Sequence, residues 1–277
     1  MSHARETIVI KPPRGLAALD LRSLWEFRDL LFAFADRDIR LRYRQTVLGV
    51  AWVVLQPLMG AGVFAIVFGV IAKLPSQGVP YFLVSFAGLL GWTVFFGSIT
   101  RISPSLVANA PLIRKVFFPR LLVPLGVIPS VLVDLAVGLA VMIILLIAYG
   151  VAPGWGLLLL PVSVLILLAI ALGLGLMASS LAVKYRDIQH IVPFAVQFLM
   201  YASPVGYSAS AVPERLKTLY FLLNPLAAPI ETIRWGFLNT AQPDLIYLAY
   251  SFVVGLLGLF LGLVVFRRVE REFADVI

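Results

Sequence analysis

Cysteine is absent from this chain of 277 residues, histidine occurs twice, and lysine only five times. Each scarcity excludes a class of chemistry. Without cysteine there is no disulfide framework, no thiolate metal site and no thiol nucleophile. His3 stands near the first residue and His190 at a loop edge, and no two-histidine or paired-carboxylate cluster accompanies them. The sequence therefore offers no metal-ligand set and no acid–base pair, and no catalytic residue is assigned. The lysines are Lys11, Lys73, Lys115, Lys184 and Lys217, and none follows a glycine. A Walker A phosphate loop is thus impossible, so the chain is no P-loop ATPase by itself. Charged residues make up 13% of the chain, against about a quarter in a soluble domain. The first residues also lack the compact apolar run and small-residue cleavage site of a cleaved signal peptide.

What fills the space is apolar. Hydrophobic residues are 61% of the chain and the mean hydropathy is +1.00, which place it among all-α integral membrane proteins. A helix needs about 20 mostly apolar residues to cross the hydrocarbon core. By that measure six transmembrane helices are expected, near 47–73, 80–100, 121–149, 157–183, 191–211 and 245–266. They follow a flexible start over 1–20 and an amphipathic segment over 21–46, so 47–277 reads as one transmembrane domain. Lysine and arginine placement supports the count. Nine of them precede the first span, and clusters fall in the second-to-third loop, the fourth-to-fifth loop and the tail. Only Lys73, Arg215, Lys217 and Arg234 fall on the other side. Basic residues accumulate in cytoplasmic loops, so both termini are expected in the cytoplasm. The net charge of +8 then reflects topology and contact with anionic membrane lipids, not nucleic acid.

The stretch 216–238 is apolar enough to suggest a seventh span, but Pro225 and Pro229 interrupt it and Lys217, Glu231 and Arg234 lie within it. Short external re-entrant helices between spans five and six are expected instead. Over residues 21–44, Leu24, Phe27, Leu31 and Phe34 share one helical face at steps of three and four, with charges opposite. Such a helix lies in the membrane interface with its apolar side in the acyl boundary. Arg37, Arg40, Arg42 and Arg44 close it, pressed against the first span. Two readings stand for these arginines: anchors that orient the span, or a cationic collar holding a phosphate or diphosphate through bidentate hydrogen bonds.

Asp134 is the one carboxylate inside a span. It either takes part in transport or pairs with an arginine and hydroxyls near the inner interface. In the second-to-third loop, Ser103 is expected as an N-cap with Pro104 at the first helical position, and Asn109 in the turn before Arg114 and Lys115. A rigid lever and an ordinary basic loop both fit that pattern. Tyr185, Arg186 and Asp187 mark a second cytoplasmic contact region. Small residues at Ala171, Gly175 and Ser179 in span four, and Gly258 with Gly262 in span six, suggest close helix packing inside the bundle.

The stretches "RYRQTVLGVAWVVLQPL" (42–58), "APLIRKVFFPRLLVP" (110–124), "KYRDIQHIVPFAVQFLMYASPVGY" (184–207) and "LLNPLAAPIETIRWGF" (222–237) occur in an order and spacing that resemble the membrane subunits of ABC-2 type exporters. The branch resembled is that of O-antigen and related polysaccharide exporters, and the similarity runs from about residue 20 to the end. It implies a homodimer of permeases in a bacterial inner membrane, paired with two copies of a cytoplasmic ABC ATPase that binds the ATP and Mg. No cofactor is then expected in this chain. The implied cargo is an undecaprenyl-diphosphate-linked glycan, entering near the arginine collar.

Residues 102–120 correspond to that family's coupling and gate region. Sugars stack their C–H faces on aromatic rings. Trp52, Phe64, Phe68, Trp92, Phe95, Phe96, Phe198, Tyr201 and Tyr207 sit in spans one, two and five, which the family fold turns toward the dimer axis. Each is either pathway lining or belt and core packing. Other cargo fits the same resemblance: a teichoic acid, a capsule or a small-molecule drug. An ion-coupled secondary carrier would need an internal repeat and intramembrane ionisable pairs, and a membrane glycosyltransferase or phosphatase would need clustered acidic or histidine residues; none is present in the sequence.

Overall fold

Long runs of leucine, valine, alanine and glycine leave the backbone no partner but itself in a hydrocarbon phase, and the chain accordingly folds as helices. The computed structural model describes residues 21–43 and 51–270. Its helices are α1 (Leu21–Glu26), α2 (Arg28–Tyr43), α3 (Ala51–Phe64), α4 (Tyr81–Ile102), α5 (Ser105–Ala108), α6 (Ala110–Ile113), α7 (Leu122–Leu125), α8 (Val127–Tyr149), α9 (Leu160–Lys184), α10 (Ile188–Ala202), α11 (Glu214–Leu223), α12 (Ala227–Leu238) and α13 (Leu245–Glu270). No strand occurs among the described residues. α3 continues as a π-helix over Ala65–Ile71, and a 3₁₀ turn at Trp155–Leu159 leads into α9. Prolines and glycines set the ends. Pro80 precedes α4, and Gly150 closes α8 in the left-handed conformation at φ 67°, where its amide and that of Val151 cap the last carbonyls.

Five helical segments are long and apolar enough to cross a membrane: Ala51–Ile71, Tyr81–Ile102, Leu122–Tyr149, Trp155–Lys184 and Leu245–Glu270. In place of the expected span at 191–211 stands α10, which starts earlier, at Ile188, and has only 15 residues, roughly 22 Å at 1.5 Å per residue. It stops because Ser203 turns extended, at φ −99° and ψ 153°, just before Pro204. Residues 203–206 are nevertheless buried. Non-helical backbone at that depth needs polar partners from the protein. Asn224 Nδ2 donates to Ala202 O at 3.1 Å and to Ser203 Oγ at 2.9 Å. Arg234 donates to Pro204 O at 2.6 Å and Val205 O at 3.0 Å.

Arg234 is the largest side chain fully removed from solvent, at 1% exposure. Its remaining donors go to Val84 O in α4 at 3.1 Å and to Glu231 Oε1 at 2.5 Å. Glu231 in turn accepts the Ala209 amide at 2.5 Å. The approach of α4 to this knot depends on Gly88, where a Cβ would lie 2.5 Å from Arg234 Nη2. The charges in 216–238 therefore exclude a span, as expected, but all twelve residues of α12 are buried against α4, α9 and the 3₁₀ turn. α12 is wrapped in protein and not dipped into lipid. α11, ending at Pro225 and the Asn224 side-chain bond to the Leu226 amide, carries the exposed apolar residues Leu219 and Leu223.

At the opposite end the amphipathic segment is two helices, broken at Phe27. The expected face of Leu24, Phe27, Leu31 and Phe34 does not meet lipid. It packs on Leu106, Phe118, Leu121, Leu122, Leu176 and Phe266, a small second core under the bundle. Trp25 and Phe32 instead project outward. The small-residue ridges pack within the bundle: α9 and α13 meet where Gly262 faces Gly173, a Cβ there lying 2.8 Å from the Gly173 Cα.

A buried charge left without its partner is far costlier than an exposed one. Glu231→Ala should destabilise the protein by about 3 kcal/mol or more, whereas Lys217→Ala, which breaks the exposed pair with Glu214, should cost under about 1 kcal/mol. Thermal unfolding in detergent, followed by the fraction that remains monodisperse, compares the two directly. Equal shifts would refute the structural weight given to Arg234.

Candidate functional site: an aromatic and polar cleft beside α2

α3, α4, α8 and α10 do not close on one another. Between them lies a cleft of about 830 Å³. α3 contributes Trp52 and Gln56, α4 contributes Trp92, Thr93, Phe96, Thr100 and Arg101, α8 contributes Asp134 and Gly138, and α10 contributes Gln197. Trp92 and Phe96, one helical turn apart, stack with ring centroids 6.4 Å apart at 30°. The wall thus alternates flat aromatic faces with neutral hydrogen-bonding groups, and holds one cation and one anion.

Those two are partners. Arg101 Nη2 meets Asp134 Oδ2 at 2.5 Å, with each side chain about a fifth exposed. Arg101 was expected in a loop, but α4 runs on to Ile102 and turns it into the cleft. Its Nη1 donates to Ser130 Oγ at 3.0 Å, and Ser130 donates on to Asp38 Oδ2 of α2 at 2.6 Å. A continuous polar chain therefore joins α2 to the cleft wall. Of the two readings of Asp134, pairing with an arginine is the arrangement found.

Below Arg101 a second cleft of about 500 Å³ opens between α2, α5 and the start of α8, and Thr100 and Arg101 line both. Here Arg37 Nη2 donates to Asn109 Oδ1 at 2.6 Å, while Asn109 Nδ2 donates to Ser105 O at 2.8 Å. The guanidinium of Arg37 also lies 5.2 Å from the centre of the Phe34 ring. Arg40 is exposed and held by Asp36 at 2.8 Å, and the hydrogen bond it donates to that carboxylate raises its pKa further above the already high arginine value. Both arginines are thus engaged. The side chain of Arg42 and the whole of Arg44 lie outside the described residues.

The nine expected pathway aromatics divide. Trp52, Trp92 and Phe96 line the cleft. Phe95 is fully buried in the core, 5.6 Å from the Trp92 centroid. Phe64, Phe68 and Tyr207 form a separate group, with centroids 5.7 and 6.1 Å apart in succession, and the Tyr207 hydroxyl lies 3.2 Å from that of Tyr220. Phe198 and Tyr201 point away from the bundle on the outer face of α10. Gln56, Thr93, Thr100, Arg101 and Gln197 went unassigned, although their polarity within apolar runs was a usable signal.

The 102–120 segment forms α5 and α6, turned at Asn109. Ser103 is not an N-cap. It keeps the helical conformation of α4, its amide bonded to Ile99 O, so its hydroxyl cannot swing onto the following amides and is buried without a hydrogen-bond partner. Pro104 then leads into α5. Arg114 and Lys115 are exposed, followed by Val116 and Phe117, the latter 74% exposed. Tyr185, Arg186 and Asp187 are exposed between α9 and α10, with Lys184 Nζ 5.7 Å from the Tyr185 ring.

If Arg37 holds α2 to the loop, Asn109→Ala should raise amide hydrogen exchange across 28–43 by about fivefold, about 1 kcal/mol of lost side-chain bonding, while α9 exchanges as before. Unchanged protection of α2 would show that the contact carries no mechanical weight.

Comparison with known proteins places this geometry in a family. The profile of the ABC-2 type transporter family matches residues 29–238. The chain is 31% identical over 256 residues to the O-antigen export system permease protein RfbA of Myxococcus xanthus, covering 92% of this chain and 98% of that protein. It is 26% identical over 253 residues to a protein of the same name from Klebsiella pneumoniae, covering 90% and 95%. It is also 25% identical over 242 residues to the polysialic acid transport protein KpsM of Escherichia coli, covering 85% and 91%. The match of the family profile to most of the chain, over the segment that builds both clefts, shows that this multi-pass membrane protein belongs to the ABC-2 type transporter family.

Proposed function

We propose that this chain is the membrane-spanning permease subunit of an ATP-driven polysaccharide exporter in a bacterial inner membrane. The observation that carries the reading is the 830 Å³ cleft, whose stacked rings and neutral polar groups suit a sliding carbohydrate. The names of the relatives, O-antigen export permeases and a polysialic acid transporter, point the same way. The cargo is read as an undecaprenyl-diphosphate-linked glycan, with the lipid diphosphate received at the headgroup level near the arginines of α2.

With no lysine following a glycine, the energy must come from a separate ATPase. We assign two copies of a cytoplasmic ABC ATPase, holding the ATP and Mg, to two copies of this chain. The exposed loop bearing Lys115, Val116 and Phe117, together with Tyr185 to Asp187, is the surface offered to them. Movement there reaches the cleft through Asn109, Arg37 and the Asp38–Ser130–Arg101 chain. Both termini lie in the cytoplasm in this reading, and α10 with residues 203–211 makes the fifth of six crossings.

Purification from native membranes in mild detergent should recover a stoichiometric partner with a Walker A motif and ATPase activity. Replacing Trp52 and Phe96 together with Ala should leave that complex and its ATPase intact while lowering glycan export about tenfold, at about 0.5–1.5 kcal/mol for each ring. Surface glycan at the normal level in the double variant would refute the cleft as the sugar path. A complex that exports a small drug and leaves glycan behind would favour the small-molecule branch of the same family.

A further inference from the structure

The cleft of about 500 Å³ lies between two walls that a side-chain clasp holds together. One wall is α2, with Arg37 and Asp38, and the other is the turn through α5, with Ser105 and Asn109. Arg37 Nη2 on Asn109 Oδ1 at 2.6 Å bridges them. That bond sets a charged donor on a neutral acceptor and spends one N–H of the guanidinium fork. The same guanidinium rests on the Phe34 ring, which fixes its plane. A phosphate takes such a fork bidentately and about twice as strongly as a neutral acceptor does. An anionic phosphate entering between the walls therefore displaces Asn109 from Arg37. Asp38 lines the same space with its Oδ2 on the Ser130 hydroxyl, and its charge confines the phosphate to the Arg37 side.

The wall that carries Asn109 is not at rest. Ser103 and Ser105 flank Pro104 where α4 gives way to α5, and both hydroxyls are buried without a hydrogen-bond partner. Such groups cost free energy for as long as the arrangement lasts. A shift about Pro104, which has no N–H to continue the helix ladder, is a way to relieve them. Asn109 Nδ2 is tied to Ser105 O, so Asn109 moves with α5, and its bond to Arg37 holds the turn against that shift. Beyond the turn the chain runs through α6 to Lys115, Val116 and Phe117, the surface offered to the ATPase. We infer that the diphosphate of the carrier lipid binds in this cleft by taking Arg37 from Asn109, and that loading thereby unlatches the loop that meets the ATPase. This inference rests on the exporter reading above and gives the lipid a second task, reporting that cargo is in place.

The test uses the permease with its own ATPase partner in nanodiscs, with undecaprenyl diphosphate lacking a glycan as the probe. Retention of radiolabelled probe gives its affinity, and phosphate release gives the ATPase rate. The probe should bind and speed ATP hydrolysis severalfold. Asn109→Ala removes the competitor for Arg37, so it should tighten binding about fivefold, the factor carried by one net hydrogen bond, and raise ATP hydrolysis without the probe. Asn109→Asp strengthens the clasp and should weaken binding severalfold. Arg37→Ala should weaken it about tenfold or more. Should that variant fail to fold, Arg37→Lys keeps the charge, loses the fork and should weaken binding severalfold. Binding that is unchanged or weaker in Asn109→Ala, or unchanged in the Arg37 variant, would overturn the inference. So would binding without faster ATP hydrolysis, or equal stimulation by phosphatidylglycerol or inorganic diphosphate, which would assign the response to bulk lipid headgroups or to free anion. Export of the linked glycan by a complex that binds no bare probe would also overturn it and leave the exporter reading in place. A complex that hydrolyses ATP but neither binds the probe nor exports a glycan built on it would overturn the lipid-linked reading, and the inference with it.

Discussion

A guanidinium shut away from water must place its N–H groups on oxygens, and Arg234 does so on three separate pieces of chain. It holds a carbonyl of α4, two carbonyls of the 203–206 segment, and Glu231 on its own helix. Several otherwise unfavourable features become possible together as a result. The short α10 can end inside the protein, residues 203–206 can run extended at depth, and α12 can be buried on every side. Glu231 completes the set by receiving the Ala209 amide. This end of the bundle is thus organised by one charged side chain and not by apolar packing alone.

The other end uses polar contacts of a different kind. The bonds around Arg37, Asn109, Ser130 and Arg101 are partly exposed and involve one or two donors each. Exposed or half-exposed bonds are individually weak and can exchange partners with water, which makes them suited to parts that move. Rigidity is concentrated near Arg234 and adjustability near α2, with the cleft between them.

Legibility from sequence followed the physics of each signal. Hydropathy exposed five membrane-crossing helices to within a few residues, because twenty apolar residues have few alternatives. The charges in 216–238 correctly excluded a span there, since Arg234 and Glu231 cannot face lipid. Burial of α12 was not legible, because proline spacing and hydropathy do not say whether protein or lipid surrounds an apolar helix. For the same reason the Leu24–Phe34 face was read as lipid-facing, when a second core receives it. Arg101 was missed because the helix was taken to end at 100 and it runs on to Ile102, a small boundary error that kept its charge in a loop when the structure puts it in the cleft. Asp134 stood out as a carboxylate inside a span, but its partner lies 33 positions away, and such a pairing becomes visible only when two helices are docked.

As a wall of the cleft, α3 differs from α4. Of its fourteen residues only Ala61 is buried, and Pro57 interrupts its hydrogen-bond ladder, while α4 beside it is buried along most of its length. α10 resembles α3, with Val196 alone buried and Pro193 inside the helix, so two sides of the enclosure are loosely held. Both face outward along much of their length. A polymer tethered to a lipid cannot thread through a closed ring, because its anchor has to remain among the lipids. For the lipid-linked glycan proposed above, a wall that parts sideways would let the tether stay in the bilayer while the sugar stays inside.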